Sequence, residues 1–321
     1  MPENLETEAR DNTEGDAEGR VAAMYADRCL VLSDGEEVVC AVRGRFKGRG
    51  RPKEQLTPVV GDRVRIARNP DGSGTVTVIE PRTRVLTRRQ ANRKRVSRSS
   101  QPQVLAANVD LLVVVASLRR PPLRTGLVDR FLAAAAMSEI PPLICITKLD
   151  LDPGGEFEAV REAYAGLEIL VLGTDIHRPE TLDPLSDALR GSVSVLVGHS
   201  GVGKTSLLNI LAGMEMQVRE VGFQKDRGRH TTSTARLISL SGGGFAIDSP
   251  GIREFGLHGV EPAELAELYP DFRPYLDDCG FRDCLHQGEP GCSLVAALKA
   301  GHLTEARYAG YRKLLDELRE V

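Results

Sequence analysis

The run Gly198, His199, Ser200, Gly201, Val202, Gly203, Lys204, Thr205, Ser206 carries the G-x-x-x-x-G-K-[ST] spacing that lets a protein grip a nucleotide by its phosphates. Its glycines allow successive backbone N–H groups to turn toward one point at a helix N-terminus, where the helix dipole favours negative charge. Lys204 then places a point charge on the β and γ oxygens, and the Thr205 hydroxyl ligates Mg²⁺. The apolar stretch SVSVLVG precedes the loop and the helix-like SLLNILAG follows it, which is the strand-loop-helix context this chemistry requires. A phosphate loop by itself does not choose GTP over ATP.

That choice falls to TKLD, Thr147 to Asp150, at the end of the apolar stretch PPLICI. It resembles the guanine-reading N-K-x-D motif of GTPases. The resemblance implies that the Asp150 carboxylate accepts from the guanine N1–H and exocyclic amine while the Lys148 stem lies along the base. Adenine has no matching donor pair, so it would leave buried polar groups unpaired. Thr147 stands where asparagine is usual. AIDSPGIREFG, 246–256, matches the D-x-x-G signature: Asp248 would hold Mg²⁺ through water and the Gly251 N–H would face the γ-phosphate. Between these motifs DRGRHTTSTARL, 226–237, sits where the first switch of a GTPase supplies a threonine to Mg²⁺ and γ-phosphate. Thr232 is the expected residue and Thr231 the alternative.

A third constellation has no part in nucleotide chemistry. CGFRDCLHQGEPGC holds Cys279, Cys284, His286 and Cys292, a Cys₃His set that suits one tetrahedral Zn²⁺ and leaves no open position for substrate, so the expected metal is structural. Glycine and proline between the ligands favour a metal loop over a packed helix. Cys29, Cys40 and Cys145 lie isolated in apolar stretches, apart from this cluster.

The elements that position these groups follow from the pattern. With 321 residues more than one domain is expected. RVAAMYA, RCLVLSD, EEVVCAVRG, DRVRIAR and TVTVIEP read as short strands separated by turn signals, a small barrel of OB type with an SH3-like barrel as the alternative. From NVDLLVVVASL onward, apolar strands alternate with helical stretches, which predicts a parallel sheet with ligands at the carboxyl ends of its strands. From Pro262 the pattern becomes helical around the Cys/His cluster and ends in the amphipathic EARYAGYRKLLDELREV. The expected divisions are an acidic disordered tail at 1–19, the barrel at 20–81, a basic linker at 82–103, the α/β domain at 104–257 and a helical zinc-binding domain at 258–321.

A net charge of −3 conceals two basic segments, RGRFKGRGRPK and RTRVLTRRQANRKRVSR. Arginine forks match phosphate oxygens, so RNA or DNA is the expected polyanion. The longest apolar run, Leu111 to Leu118, falls short of the ~20 residues of a membrane helix. The N-terminus shows no apolar segment of a signal peptide, and the expectation is a cytoplasmic protein that does not engage a membrane.

In this chain the base reader precedes the phosphate loop, the reverse of the usual GTPase order. A circular permutation accounts for that, because joining nearby termini and cutting elsewhere preserves the sheet and its ligand loops. AANVD, LVDRFL, GHSGVGKTSLLN, GRHTT, DSPGIREFG and the Cys/His spacing occur in the order of the ribosome small subunit-dependent GTPase A family, which the chain resembles from about Arg20 onward. The resemblance implies a GTP hydrolase with an OB barrel and a zinc domain. It also implies stimulation by the 30S ribosomal subunit, contact with 16S rRNA and a role in late small-subunit maturation, with the protein acting as a monomer. It supplies His230 for positioning or activating water, since Ile252 stands where Ras-like enzymes place glutamine. Arg227 and Arg229 fit either developing phosphate charge or RNA. Gly173 and Thr174 replace the Ser-Ala pair that usually supports guanine. The competing expectation is a nucleotide-gated RNA-binding protein with little turnover.

Overall fold

The computed structural model describes residues 16–42, 46–47, 55–88, 103–152, 154–213, 235–248, 257 and 260–319. The chain divides into two compact units, Met1–Arg82 and Thr83–Val321.

The first unit contains β1 (Ala17–Met24), β2 (Arg28–Ser33), β3 (Glu36–Ala41), the two-residue pair β4 (Phe46–Lys47) and β5 (Gln55–Leu56), then β6 (Arg63–Arg68) and β7 (Gly74–Ile79). Alternating apolar residues turn Val21, Val31, Val38, Val64, Ile66 and Val76 into one core, with Cys29 and Cys40 among them. β1 pairs with β2, β2 with β3, β3 with β7, β7 with β6 and β6 with β1, which closes the barrel. The β3–β7 pairing is parallel while its neighbours are antiparallel. That closure identifies the five-stranded Greek-key OB barrel and sets aside the SH3-like alternative. Arg82, the first residue of the second basic segment, is committed here: its guanidinium grips the buried Asp62 carboxylate through two contacts of 2.7 Å.

The second unit opens with β8 (Val85–Arg88) and β9 (Gln103–Ala107), which pair antiparallel, so the 82–103 segment contains one strand and ends on the first residue of the next. There follow β10 (Leu111–Ser117), α1 (Thr125–Met137), β11 (Pro142–Thr147), α2 (Glu156–Ala163), β12 (Leu170–Thr174), α3 (Asp183–Leu189), β13 (Val193–Val197) and α4 (Lys204–Leu211). β14 (Arg236–Ser239) and β15 (Phe245–Asp248) complete the sheet, and α5 (Ser293–Lys299) and α6 (Glu305–Arg319) close the chain. In space the strands run β12-β11-β10-β13-β15-β14. All pairs are parallel except β14 on β15. β10 and β11 are almost wholly apolar because both faces of the sheet are covered. Val113, Val115 and Cys145 pack with leucines of α3 and α4. Val114, on the other face by alternation, lines a small cavity with Leu127, Val128 and Phe131 of α1.

This order resolves the inverted motifs. β11, whose last residue Thr147 opens TKLD, and β13, which leads into the phosphate loop, flank β10, and parallel pairing brings their carboxyl ends to the same edge. Chain order is permuted; the set of strand ends is not.

The region from Pro262 is helical on both sides of the Cys/His cluster, as the pattern predicts. Pro262–Leu268 and Arg273–Tyr275 are short 3-10 turns, each with proline in its first positions, and α-helix resumes only with α5. Tyr269, Phe272 and Tyr311 form the aromatic core of this region, with ring centroids 4.8 to 5.5 Å apart.

Candidate functional site

The phosphate loop leaves β13 with Gly198, whose backbone lies so close to β10 that a Cβ would sit 2.1 Å from the Val115 carbonyl oxygen. Gly198, Gly201 and Gly203 all have positive φ, at 149°, 81° and 102°, so glycine is required both for conformation and, at 198, for space. α4 begins at Lys204 directly after Gly203 and carries Thr205 and Ser206, both exposed, in its first turn. The Lys204 ammonium donates to the Gly198 and His199 carbonyls, each at 2.8 Å, which holds its charge over the loop. His199 Nδ1 lies 2.8 Å from the Ser200 carbonyl, and Val202 is buried beneath.

The TKLD segment is tied to this loop by two side chains. The buried Thr147 hydroxyl lies 2.5 Å from the Val202 carbonyl and 3.1 Å from the Ala116 carbonyl, and its proton serves that pair. Lys148, in the left-handed region at φ 59°, reaches across to donate to the Gly201 carbonyl at 2.7 Å and to the Arg120 carbonyl. Threonine at 147 thus braces the phosphate loop against the end of β11. Asp150 is exposed in the short turn Leu149–Leu151, beside that brace.

β12 adds a neighbouring loop. At Gly173 a Cβ would lie 2.6 Å from Leu149 Cδ1 and 3.0 Å from the Phe157 ring, so a larger residue there would displace those side chains. Thr174 is buried, opposite Thr147 in register. Asp175, which the sequence patterns did not single out, organises the next turn by accepting from the His177 N–H at 2.9 Å and Arg178 Nε at 2.8 Å. Burial works against its charged form, but these two donors hold its carboxyl below the usual range. An aspartate two residues before a backbone donor is an Asx turn, the local signal that marks it.

Asp248 ends β15, half-buried, at the same edge of the sheet. Gly251 and Ile252, and the switch residues Arg227, Arg229, His230, Thr231 and Thr232, lie outside the described residues.

The second site gathers Cys279, Cys284, His286 and Cys292, whose ligand atoms all lie within 4.8 Å of one another. His286 Nδ1 is 3.4 Å from Cys279 Sγ and 3.5 Å from Cys292 Sγ. Burial lowers the His286 pKa and so favours the neutral imidazole that a metal needs. Three thiols and one imidazole converging on a point match the donor chemistry of Zn²⁺. The intervening chain is shaped by Glu289, whose carboxylate accepts from the backbone N–H groups of Leu285, Gln287 and Gly288 at 2.7 to 3.1 Å.

An OB barrel followed by a permuted nucleotide-binding sheet and a Cys₃His cluster defines a circularly permuted P-loop GTPase. The RsgA N-terminal domain model matches residues 18–76 and the RsgA GTPase model matches residues 79–258. The chain belongs to the RsgA GTPase family. It is 38% identical to the small ribosomal subunit biogenesis GTPase RsgA of Chlorobaculum tepidum over 81% of this chain and 85% of that protein. Its identity to the protein of the same name from Gemmatimonas aurantiaca is 39%, over 90% of this chain and 93% of the relative. Among solved structures, YjeQ from Thermotoga maritima superposes with a TM-score of 0.73 at 28% identity, covering 94% of this chain and 98% of YjeQ. YloQ, described as a circularly permuted GTPase, gives 0.72 at 29% identity with 97% of both chains covered.

Proposed function

We propose that this GTP hydrolase, a family member of small-subunit biogenesis, is stimulated by the 30S subunit and acts late in that subunit's maturation. The observation that carries the guanine-nucleotide reading is the double tie of Thr147 and Lys148 to the phosphate loop, which couples base and phosphate recognition in one rigid edge.

In this reading Asp150 accepts from the guanine edge and the Lys148 stem covers the base. The N–H groups of 198–206 and the Lys204 ammonium cradle the phosphates. Thr205, Asp248 and Thr232 would hold Mg²⁺, which would supply positive charge to offset that of the phosphates. Gly251 faces the γ-phosphate. His230 orients a water whose oxygen attacks the γ-phosphorus; the bond to the β-γ bridging oxygen breaks, releasing GDP and phosphate. Cys279, Cys284, His286 and Cys292 would hold one structural Zn²⁺. The basic segments and the barrel meet 16S rRNA, and the protein works as a cytoplasmic monomer. Among the described residues no helix is long and apolar enough to cross a membrane.

GTP turnover by zinc-loaded protein, alone and with 30S subunits, with ATP as control, tests this reading. Strong stimulation of GTP turnover alone is expected, and His230→Ala should abolish it. Equal, very slow turnover with and without subunits would leave a nucleotide-gated RNA binder. Asp150→Asn should remove the preference for GTP over ATP in binding.

A further inference from the structure

Arg307 of α6 is only 4% exposed, yet it carries a full charge. Two carboxylates from distant parts of the unit hold it: Asp271 through Nε and Nη2 at 3.0 and 2.9 Å, and Asp129 of α1 through Nη1. Asp129 also accepts from the Tyr164 hydroxyl at 3.1 Å. Its other oxygen, Oδ2, is buried without a hydrogen-bond partner and faces Gly310, where a Cβ would come within 2.0 Å. α1 and α6 therefore approach as closely as glycine permits, at a charge pair that accepts little displacement.

The same helix grips the metal loop. Tyr308 donates to the His286 carbonyl at 2.7 Å and Tyr311 to the Leu285 carbonyl at 2.9 Å, so two α6 hydroxyls fix the backbone at and beside a metal ligand. His286 sits in the left-handed region at φ 58°, a conformation that needs such support. On its far side α1 meets the nucleotide site: Leu127, Val128 and Phe131 share a small cavity with Gly198, His199 and Val202 of the phosphate loop.

We propose that α6 is a bolt linking the metal loop to the nucleotide site, so that zinc binding and guanine-nucleotide binding alter one another. Arg307 and Gly310 seat the bolt on α1; Tyr308 and Tyr311 seat the metal loop on the bolt. The inference rests on the nucleotide and zinc readings above, and linkage demands that the effect be reciprocal.

The experiment uses the full chain. A fluorescent GDP analogue is titrated before and after chelation of zinc, and zinc affinity is measured by competition with a chromogenic chelator with and without GDP. Zinc removal should weaken GDP binding on the order of 5-fold or more, and GDP should tighten zinc binding by the same factor. Arg307→Met should bring both factors close to one. Should that variant fail to fold, Tyr311→Phe, which removes a single hydroxyl, is expected to reduce both factors. GDP affinity that ignores zinc in the wild-type protein overturns the coupling alone. A chain that binds no guanine nucleotide, or no zinc, overturns the underlying site reading and the coupling with it.

Discussion

The phosphate loop and the metal loop are both glycine-bearing turns meant to surround a charged ligand, yet they are held in opposite ways. The phosphate loop springs from a buried strand, is braced by Thr147 and Lys148, and runs straight into α4. Its shape follows from the sheet. The metal loop has no regular secondary structure between Arg273–Tyr275 and α5, and depends on Glu289, two tyrosine hydroxyls and its own ligand set. One site is preorganised by the core behind it, the other by polar contacts around it. A loop anchored on a sheet keeps its geometry through the surrounding packing, whereas one held by polar groups depends on each partner in turn.

Removing the metal should show the largest contrast. Metal binding contributes on the order of 10 kcal/mol to small metal-dependent folds. Amide hydrogen exchange after chelation, or in Cys284→Ser, should rise by orders of magnitude across 276–292 while β10, β11 and β13 stay protected. Equal loss of protection in both regions would break the contrast.

Asp129→Ala tests the seam between the two regions. It leaves the Arg307 guanidinium buried with one carboxylate partner instead of two, and breaking a buried pair of this kind costs about 3–5 kcal/mol. Denaturant unfolding should report that loss, and a cost below ~1 kcal/mol would show that the seam tolerates rearrangement.

Thr147→Val sharpens the comparison at its fine end. Valine keeps the volume but leaves the Val202 and Ala116 carbonyls without their hydroxyl partner, a loss of about 1–2 kcal/mol. The expected signature is a several-fold weakening of GTP binding with a small drop in Tm. A change in Tm with nucleotide affinity intact would reduce Thr147 to a packing role.

Much of the site was legible because its signals are local. The spacing of Gly198, Gly203, Lys204 and Thr205, and the cluster of Cys279, Cys284, His286 and Cys292, each lie within one short stretch where geometry constrains residue type directly. Strand periodicity located the barrel and the sheet for the same reason. The pattern after Pro262 located helix on both sides of the Cys/His cluster; that the first two stretches are 3-10 rather than α goes with the prolines in their first positions. Gly173 read as a departure from the usual pattern; its neighbours Leu149 and Phe157 come from separate elements, which the local pattern does not show.

The sequence by itself determined which motifs are present, the phosphate-loop spacing, the TKLD segment and the Cys/His cluster, and that the nucleotide motifs stand in permuted order. Only the tertiary structure decided that the permuted strands restore one ligand edge, that Thr147 braces the phosphate loop, and that Arg307 meets Asp129 across a separation of 178 residues. The physical reason is range. Backbone conformation and ligand spacing are governed by neighbours along the chain, whereas burial of a charge is governed by whatever partners folding brings to it.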